Sequence, residues 1–138
     1  MKAERIARLL HAGQWYVDLR VPYLNHLEGV VGAVEGADKD VAWLHDVLED
    51  TEVTSNELLD LGVSHETLEA VIVLTRNPSG YETYAEYIDR IAKSCNPSAI
   101  RVKIADLEYN LAWATHDYSR RTLANRYRTA LAKLQEMI

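Results

Sequence analysis

Apolar side chains recur every three or four residues along most of the 138-residue chain, and this spacing limits the possible folds more than any other feature. An α-helix turns once in about 3.6 residues, so such a spacing gives each helix one apolar face. Alternating runs typical of strands, flanked by hairpin turns, are missing from the sequence. The chain is therefore predicted to be all-α, a single compact domain over residues 1–138 with about seven or eight helices.

Capping residues divide this pattern into helices. A first helix is predicted over 2–15, and Pro22 suits the first position of a second helix. Asp38 can cap a third helix that runs through His45 to Leu48. The later predicted boundaries are a capping box at 54–57, a cap at Ser64, a turn at 77–80, a helix over 81–93, a cap and proline at 96–97, and a final helix over 119–137.

Composition excludes several functional classes. No apolar stretch is long enough to cross a membrane, and the charged N-terminus does not resemble a signal peptide. The single cysteine, Cys95, rules out an internal disulfide framework and is typical of a reducing compartment. A formal net charge of -6 argues against general nucleic-acid binding, because phosphate backbones are held mainly by Lys and Arg. We expect a soluble, cytoplasmic protein without a nucleic-acid or membrane partner; composition leaves its oligomeric state open.

Residues 42–51 place one histidine and three carboxylates at the end of an otherwise apolar helix. On a continuous helix, positions four residues apart are neighbours, so His45 would lie beside Glu49 and Asp46 beside Asp50. Three clustered carboxylates repel one another and raise each other's pKa unless a cation lies among them. This segment therefore predicts a divalent-metal site.

Two further polar residues interrupt apolar helical segments and can complete the ligand set. His26 lies in the predicted second helix, and Asp106 lies in the helix that follows residues 96–97. A ligand set of imidazole nitrogens and carboxylate oxygens is typical of manganese, iron or magnesium sites and differs from that of thiolate-rich zinc sites. We expect three helices to converge on one ion.

The order of these residues resembles the metal pattern of the HD superfamily: a lone His, then His-Asp, then a distant Asp. Residues 45–51, HDVLEDT, are similar to the HDxxEDT segment of RelA/SpoT-type ppGpp hydrolases and their small stand-alone relatives. Residues 102–110 resemble the VKLAD...N segment of that family, and residues 22–26 resemble its PYxxH segment. The His45-Asp46 dipeptide alone is a weak signal. The three segments together are a strong one, because they occur in the family's order and the resemblance covers about residues 11–111.

The resemblance implies an all-α HD fold and a manganese ion held by His26, His45, Asp46 and Asp106. It further implies that the small phosphorylated nucleotide substrate loses a 3'-pyrophosphate. Five other residues match family positions or stand near them. The resemblance implies roles in catalysis for Glu49, which orients or deprotonates the attacking water, and for Asp50, which supports it. It implies substrate contacts for Asn110, Lys103 and Arg76.

The sequence departs from the family in two places. His26 is followed by Leu27, where the family often has proline. Basic residues that usually follow the family's HxxQ segment are replaced after Gln14 by Trp15 and Tyr16, so Arg20 is the expected basic substitute. Since those basic groups help to hold the guanine nucleotide, the base preference of this chain stays open.

Simpler interpretations remain for single residues. A lone histidine on an apolar face, such as His26, is more often a packed core residue than a ligand. Lys103 can pair with a carboxylate, and Arg76 can cap the C-terminus of its own helix. Two alternative functions also remain: an HD phosphatase or nucleotidase acting on another small phosphorylated substrate, and a nucleotide-binding module without turnover.

Overall fold

The computed structural model describes residues 2–16, 20–77 and 80–138, and within these ranges the protein is all-α. The helices, in chain order, are α1 (Lys2–Leu10), α2 (Tyr23–Gly32), α3 (Asp38–Leu44), α4 (Val47–Asp50), α5 (Ser55–Asp60), α6 (His65–Leu74), α7 (Tyr84–Ala92), α8 (Pro97–Ala114) and α9 (Arg121–Gln135), with a 3-10 turn at Tyr118–Arg120 before α9. The predicted fold class is therefore confirmed.

Several helix starts follow from local side-chain chemistry, as predicted. Thr54 accepts a hydrogen bond from the backbone N–H of Glu57, whose carboxylate accepts one from the backbone N–H of Thr54. Ser64 caps α6, and the Asn96 side chain caps α8 with Pro97 at its first position. Each cap satisfies backbone donors that the first helical turn leaves without a partner.

Other boundaries differ from the prediction. The first helix ends at Leu10 because a turn follows, in which Gly13 has a φ of +82° that favours glycine. Pro22 precedes the second helix instead of opening it. The helix predicted over 81–93 begins after Thr83, whose capping box with Glu86 sets its start, and the final helix is shorter at both ends. The predicted turn at 77–80 includes residues 78 and 79, which lie outside the described residues.

The longest helix, α8, packs against α2, α3, α6 and α9 and so joins the elements that carry the polar residues of interest. Its approach to α2 is close because Gly29 has no side chain: a Cβ atom there would lie 2.4 Å from the ring of Tyr109. Asp38 fastens α3 to the first turn of α8, since its carboxylate accepts hydrogen bonds from Ser98 and Arg101 at 2.6 Å each. The packing of α8 thus fixes the positions of α2 and α3.

Among the described residues, no helix combines the length and the apolar character that a membrane crossing requires.

Candidate metal centre

The helix that carries the His-Asp pair is interrupted at that pair, which corrects the prediction of one helix through Leu48. Helix α3 ends at Leu44, and α4 begins at Val47. The cause is local: the ring Nδ1 of His45 lies 2.6 Å from the carbonyl oxygen of Ala42, an acceptor that a continuing helix would use for its backbone. The interruption leaves both side chains of the pair at the junction between two helices.

Three buried side chains from three different helical segments meet next to this junction. His26 on α2, His45 after α3 and Asp106 on α8 are 2%, 3% and 5% exposed. One ligand atom from each lies within 4.8 Å of the other two. His26 Nε2 lies 2.8 Å from Asp106 Oδ1, and His45 Nε2 lies 3.4 Å from the same oxygen. We call these residues the His-His-Asp group.

The orientation of His45 leaves a bare nitrogen facing carboxylate oxygens. Because its Nδ1 donates to the Ala42 carbonyl, its Nε2 carries the lone pair. That buried Nε2 has no hydrogen-bond partner, although Asp46 Oδ2 is 3.1 Å away. A lone pair against negative oxygens is unfavourable unless a cation lies between them.

Asp106 is held in its ionised form by its neighbours. Burial by itself raises the pKa of the Asp106 carboxyl, but the charge of Lys103 and the hydrogen bond from His26 outweigh it and hold the pKa well below its usual range. The ammonium of Lys103 donates to Asp106 Oδ2 at 2.9 Å from the same face of α8. An ionised carboxylate of this kind is a competent metal ligand.

Asp46 borders the His-His-Asp group from the more open side. Its carboxylate accepts a hydrogen bond from the hydroxyl of Tyr23 and is 25% exposed. Burial raises the pKa of Asp46, and the charges of Asp106 and Asp50 raise it further. A cation bound at this point would reduce the repulsion between Asp46 and these two acidic groups.

The residues present fit a divalent cation. Two imidazoles and two carboxylates supply the nitrogen and oxygen ligands that such ions take in proteins. The unpartnered Nε2 of His45 is an independent sign, since a buried polar atom without a partner is costly. The Nδ1 contact of His45 with a backbone carbonyl is also the arrangement that orients metal-ligating histidines.

A cleft of about 560 Å³ opens beside the group. Its acidic wall consists of Asp46, Glu49, Asp50 and Asp106. The remaining described residues that line it are Gln14, Trp15, Tyr16, Tyr23, His26, Asn110 and Tyr127. None of these described lining residues is Lys or Arg, so the wall is acidic and aromatic.

Glu49 and Asp50, for which we expect catalytic roles, both lie on this wall. Glu49 is exposed, and its Oε1 accepts a hydrogen bond from the backbone N–H of Arg76 at 2.8 Å. Burial of the Asp50 carboxyl and the charge of Glu49 raise the pKa of Asp50. The structure thus brings both carboxylates to the cleft next to Asp46.

The four residues expected to contact substrate are divided. Asn110 lines the cleft, where its Oδ1 accepts from the hydroxyl of Tyr16 at 2.6 Å. Lys103 is 12% exposed and paired with Asp106, and the guanidinium of Arg76 donates to the Glu82 carbonyl. Arg20 is exposed in the turn before α2. The last three do not belong to the described cleft lining, and their contact with substrate stays a prediction.

Several cleft residues were not assigned a role from the sequence. The ring of Tyr16 stacks on His26 with centroids 4.9 Å apart, and the ring of Tyr23 lies 4.7 Å from that of His11, a buried residue that is not part of the described cleft lining. Tyr23 stands in the matched PYxxH segment, so that motif carried a signal for it. Tyr127 comes from α9, far away in sequence, and no local pattern points to it.

The protein was compared with protein-family models, curated sequences and solved structures. No protein-family model and no curated protein sequence matches the chain. Among solved structures, a metazoan orthologue of SpoT that hydrolyses ppGpp and plays a role in starvation responses superposes with a TM-score of 0.81. The match covers 99% of this chain and 92% of that one at 23% sequence identity. At this identity the likeness shows a shared fold, the fold that the sequence motifs implied.

Proposed function

We propose that the protein is a metal-dependent phosphohydrolase of nucleotides, with a guanosine 3'-pyrophosphate such as ppGpp as its leading substrate. The observation that carries the proposal is the buried group of His26, His45 and Asp106, which opens on a cleft lined by further carboxylates. The shared fold with a ppGpp-hydrolysing orthologue of SpoT supports the same activity.

In this proposal, His26, His45, Asp46 and Asp106 hold one divalent ion; nitrogen and oxygen ligands suit manganese, iron or magnesium, and the resemblance to RelA/SpoT-type hydrolases makes manganese the leading metal. When bound, such an ion polarises a phosphoryl oxygen and acidifies a water molecule. Lys103 keeps Asp106 ionised, and the Ala42 carbonyl keeps His45 in the tautomer with a free Nε2. Tyr23 orients Asp46 through its hydroxyl.

Glu49 is our candidate for orienting or deprotonating the attacking water. Its carboxylate lies on the cleft wall and is fixed by the backbone N–H of Arg76. A general base must lie within hydrogen-bond reach of the proton that it removes, and the position of the Glu49 carboxylate on the wall with Asp46 supports this role. Asp50, with its raised pKa, supports Glu49 and can hold a proton on the same wall.

A second candidate substrate is a nucleotide with a single phosphate, which a phosphomonoesterase or nucleotidase would cleave. One observation favours it: no Lys or Arg occurs among the described cleft-lining residues. A second pyrophosphate chain on the substrate would need cations from elsewhere, since charge-assisted contacts from Lys or Arg are the usual means of holding phosphate.

A product-resolved nucleotide screen with Mn²⁺ tests the proposal. Release of pyrophosphate from ppGpp supports the leading substrate, and release of inorganic phosphate from nucleoside monophosphates supports the second. Asp46→Ala and Glu49→Ala should both lose the activity. If the wild-type protein releases neither product from any nucleotide while still binding nucleotide, it is a binding module and the enzymatic proposal is wrong.

A further inference from the structure

Trp15 is an exposed indole at the mouth of the candidate active site. Its side chain lines the same cleft as Asp46 and Glu49, and 52% of its surface is accessible. Large aromatic residues are usually mostly buried, so an indole left half open beside a cleft is available to a ligand.

The backbone at Trp15 is held in place on both sides. Trp15 forms an isolated antiparallel bridge with Pro22. The backbone N–H of Tyr16 donates to the Val21 carbonyl at 2.8 Å, and that of Tyr23 donates to the Gln14 carbonyl at 2.9 Å. The indole therefore projects from a backbone with paired hydrogen bonds and not from a free loop tip.

The two chain neighbours of Trp15 both contact residues that line the cleft. Gln14 donates from Nε2 to the backbone carbonyl of Asp50 at 3.2 Å. Tyr16 stacks on His26 and donates its hydroxyl to Asn110. These contacts fix the place of Trp15 relative to the His-His-Asp group, and the indole lines the same cleft as His26 and Asp106.

The residues that line the cleft determine how the base of a nucleotide can be recognised there. Four carboxylates and no described Lys or Arg line the cleft, so the described side chains offer a nucleotide no attractive ionic contact of their own. An indole face instead stacks on an aromatic ring, and every nucleobase has such a face. Stacking does not read the hydrogen-bonding edge that distinguishes guanine from adenine.

We infer that Trp15 is the stacking platform for the base of the nucleotide substrate, and that the site accepts adenine and guanine nucleotides alike. This inference rests on the proposed function, because it assigns a base-binding part to the same cleft. It makes the substrate class nucleotides that carry a base, and it assigns discrimination against sugar phosphates that lack a base to one residue.

Calorimetric titration of the Mn²⁺-loaded protein with guanosine, adenosine and ribose tests the inference. None of these probes carries a phosphate, so binding is measured whether or not the protein hydrolyses nucleotides. Guanosine and adenosine should bind with dissociation constants within about threefold of each other, and ribose should bind far more weakly. Trp15→Ala should weaken both nucleosides by about 5- to 150-fold, the range found for loss of base stacking, and Trp15→Phe should recover part of the loss.

Tyr81→Ala is the matched control, since Tyr81 is an aromatic residue that is 89% exposed and is not part of the described cleft lining. It should leave both dissociation constants unchanged. The inference is overturned if Trp15→Ala binds both nucleosides as wild type does, if guanosine binds more than tenfold tighter than adenosine, or if neither nucleoside binds. A failure of the proposed hydrolysis would appear separately, as absence of phosphate and pyrophosphate release in the nucleotide screen.

Discussion

Gly29 of α2 packs against the ring of Tyr109 of α8, and each lies three residues after a member of the His-His-Asp group. Gly29 follows His26 on α2, and Tyr109 follows Asp106 on α8. Residues three apart share a helix face, so the missing side chain at Gly29 sets the separation of His26 and Asp106. The edge of the Tyr109 ring also contacts His26, with centroids 4.8 Å apart.

Gly29→Ala should therefore destabilise the fold and weaken metal binding. The added Cβ would lie 2.4 Å from the Tyr109 ring, and overpacking of this kind costs about 1–3 kcal/mol. That cost exceeds the gain of about 0.5–1 kcal/mol that alanine brings within a helix. Urea denaturation measures the free energy of unfolding. Gly32→Ala is the matched control on the same helix, because a Cβ there meets nothing within 4 Å. Equal stability of the two variants would contradict this account of the packing.

His45→Ala should abolish stabilisation by Mn²⁺. A ligand that binds only the folded state stabilises it by about 2.7 kcal/mol at a hundred times its dissociation constant, and loss of one of three buried ligand side chains removes most of that gain. Thermal unfolding with and without Mn²⁺ measures the effect. His65→Ala is the control, because His65 is exposed at the start of α6. An Mn²⁺-induced shift in His45→Ala as large as in wild type would exclude His45 as a ligand.

Glu49→Gln should lower the hydrolysis rate by about 100- to 10,000-fold, the usual contribution of a general base, with little change in metal binding. The amide keeps the shape of the carboxylate but cannot accept the proton from water. Steady-state kinetics with Mn²⁺ and metal titration together separate the two effects. Glu66→Gln, an exposed change on α6, should behave as wild type. If Glu49→Gln retains turnover, Glu49 is not the general base, and another residue of the acidic wall must have that role.

Asp38→Asn should destabilise the protein at neutral pH and lose this effect in acid. Burial raises the pKa of Asp38, but hydrogen bonds from Arg101 and Ser98 outweigh it, and the net pKa is below the ordinary value of 3.8. A carboxyl with a lowered pKa in the fold adds stability that is complete above 3.8 and disappears as pH falls through the folded pKa.

The difference in unfolding free energy between Asp38→Asn and wild type is expected to be about 1–3 kcal/mol at pH 7, because the substitution removes the charge that strengthens the partly buried hydrogen bond from Arg101. This difference in unfolding free energy should become smaller below about pH 3.8. Asp40→Asn, an exposed carboxylate in the same helical turn, should change stability by less than about 1 kcal/mol. A difference for Asp38→Asn that is constant from pH 7 to the acid limit would contradict the ionic role of Asp38.

Local chemistry explains which features could be predicted from the sequence. The predicted capping box at Thr54 and the predicted cap at Asn96 depend on residues three apart, so their signals lie within single short segments. The interruption at His45 was not predicted, because it depends on a ring nitrogen that competes for the Ala42 carbonyl in the folded chain. The helical period alone favours a continuous helix there.

The composition of the cleft depends on contacts between distant segments. The hydrogen bond of Tyr16 with Asn110 joins residues 94 positions apart, and Tyr127 reaches the cleft from the last helix. The pairing of Lys103 with Asp106 spans only three positions on α8, and pairing with a carboxylate is one of the two interpretations that the sequence supports for Lys103. Contacts between residues a few positions apart can therefore be predicted from the sequence. The places of Tyr16 and Tyr127 in the cleft can be known only from the folded structure.

Anomalous diffraction from crystals grown with Mn²⁺ is the most direct test of the metal centre. The account predicts one anomalous peak bounded by His26 Nε2, His45 Nε2 and carboxylate oxygens of Asp106 and Asp46, at distances typical of nitrogen and oxygen ligands. An Mn²⁺-soaked crystal with these side chains ordered and no peak among them would contradict it.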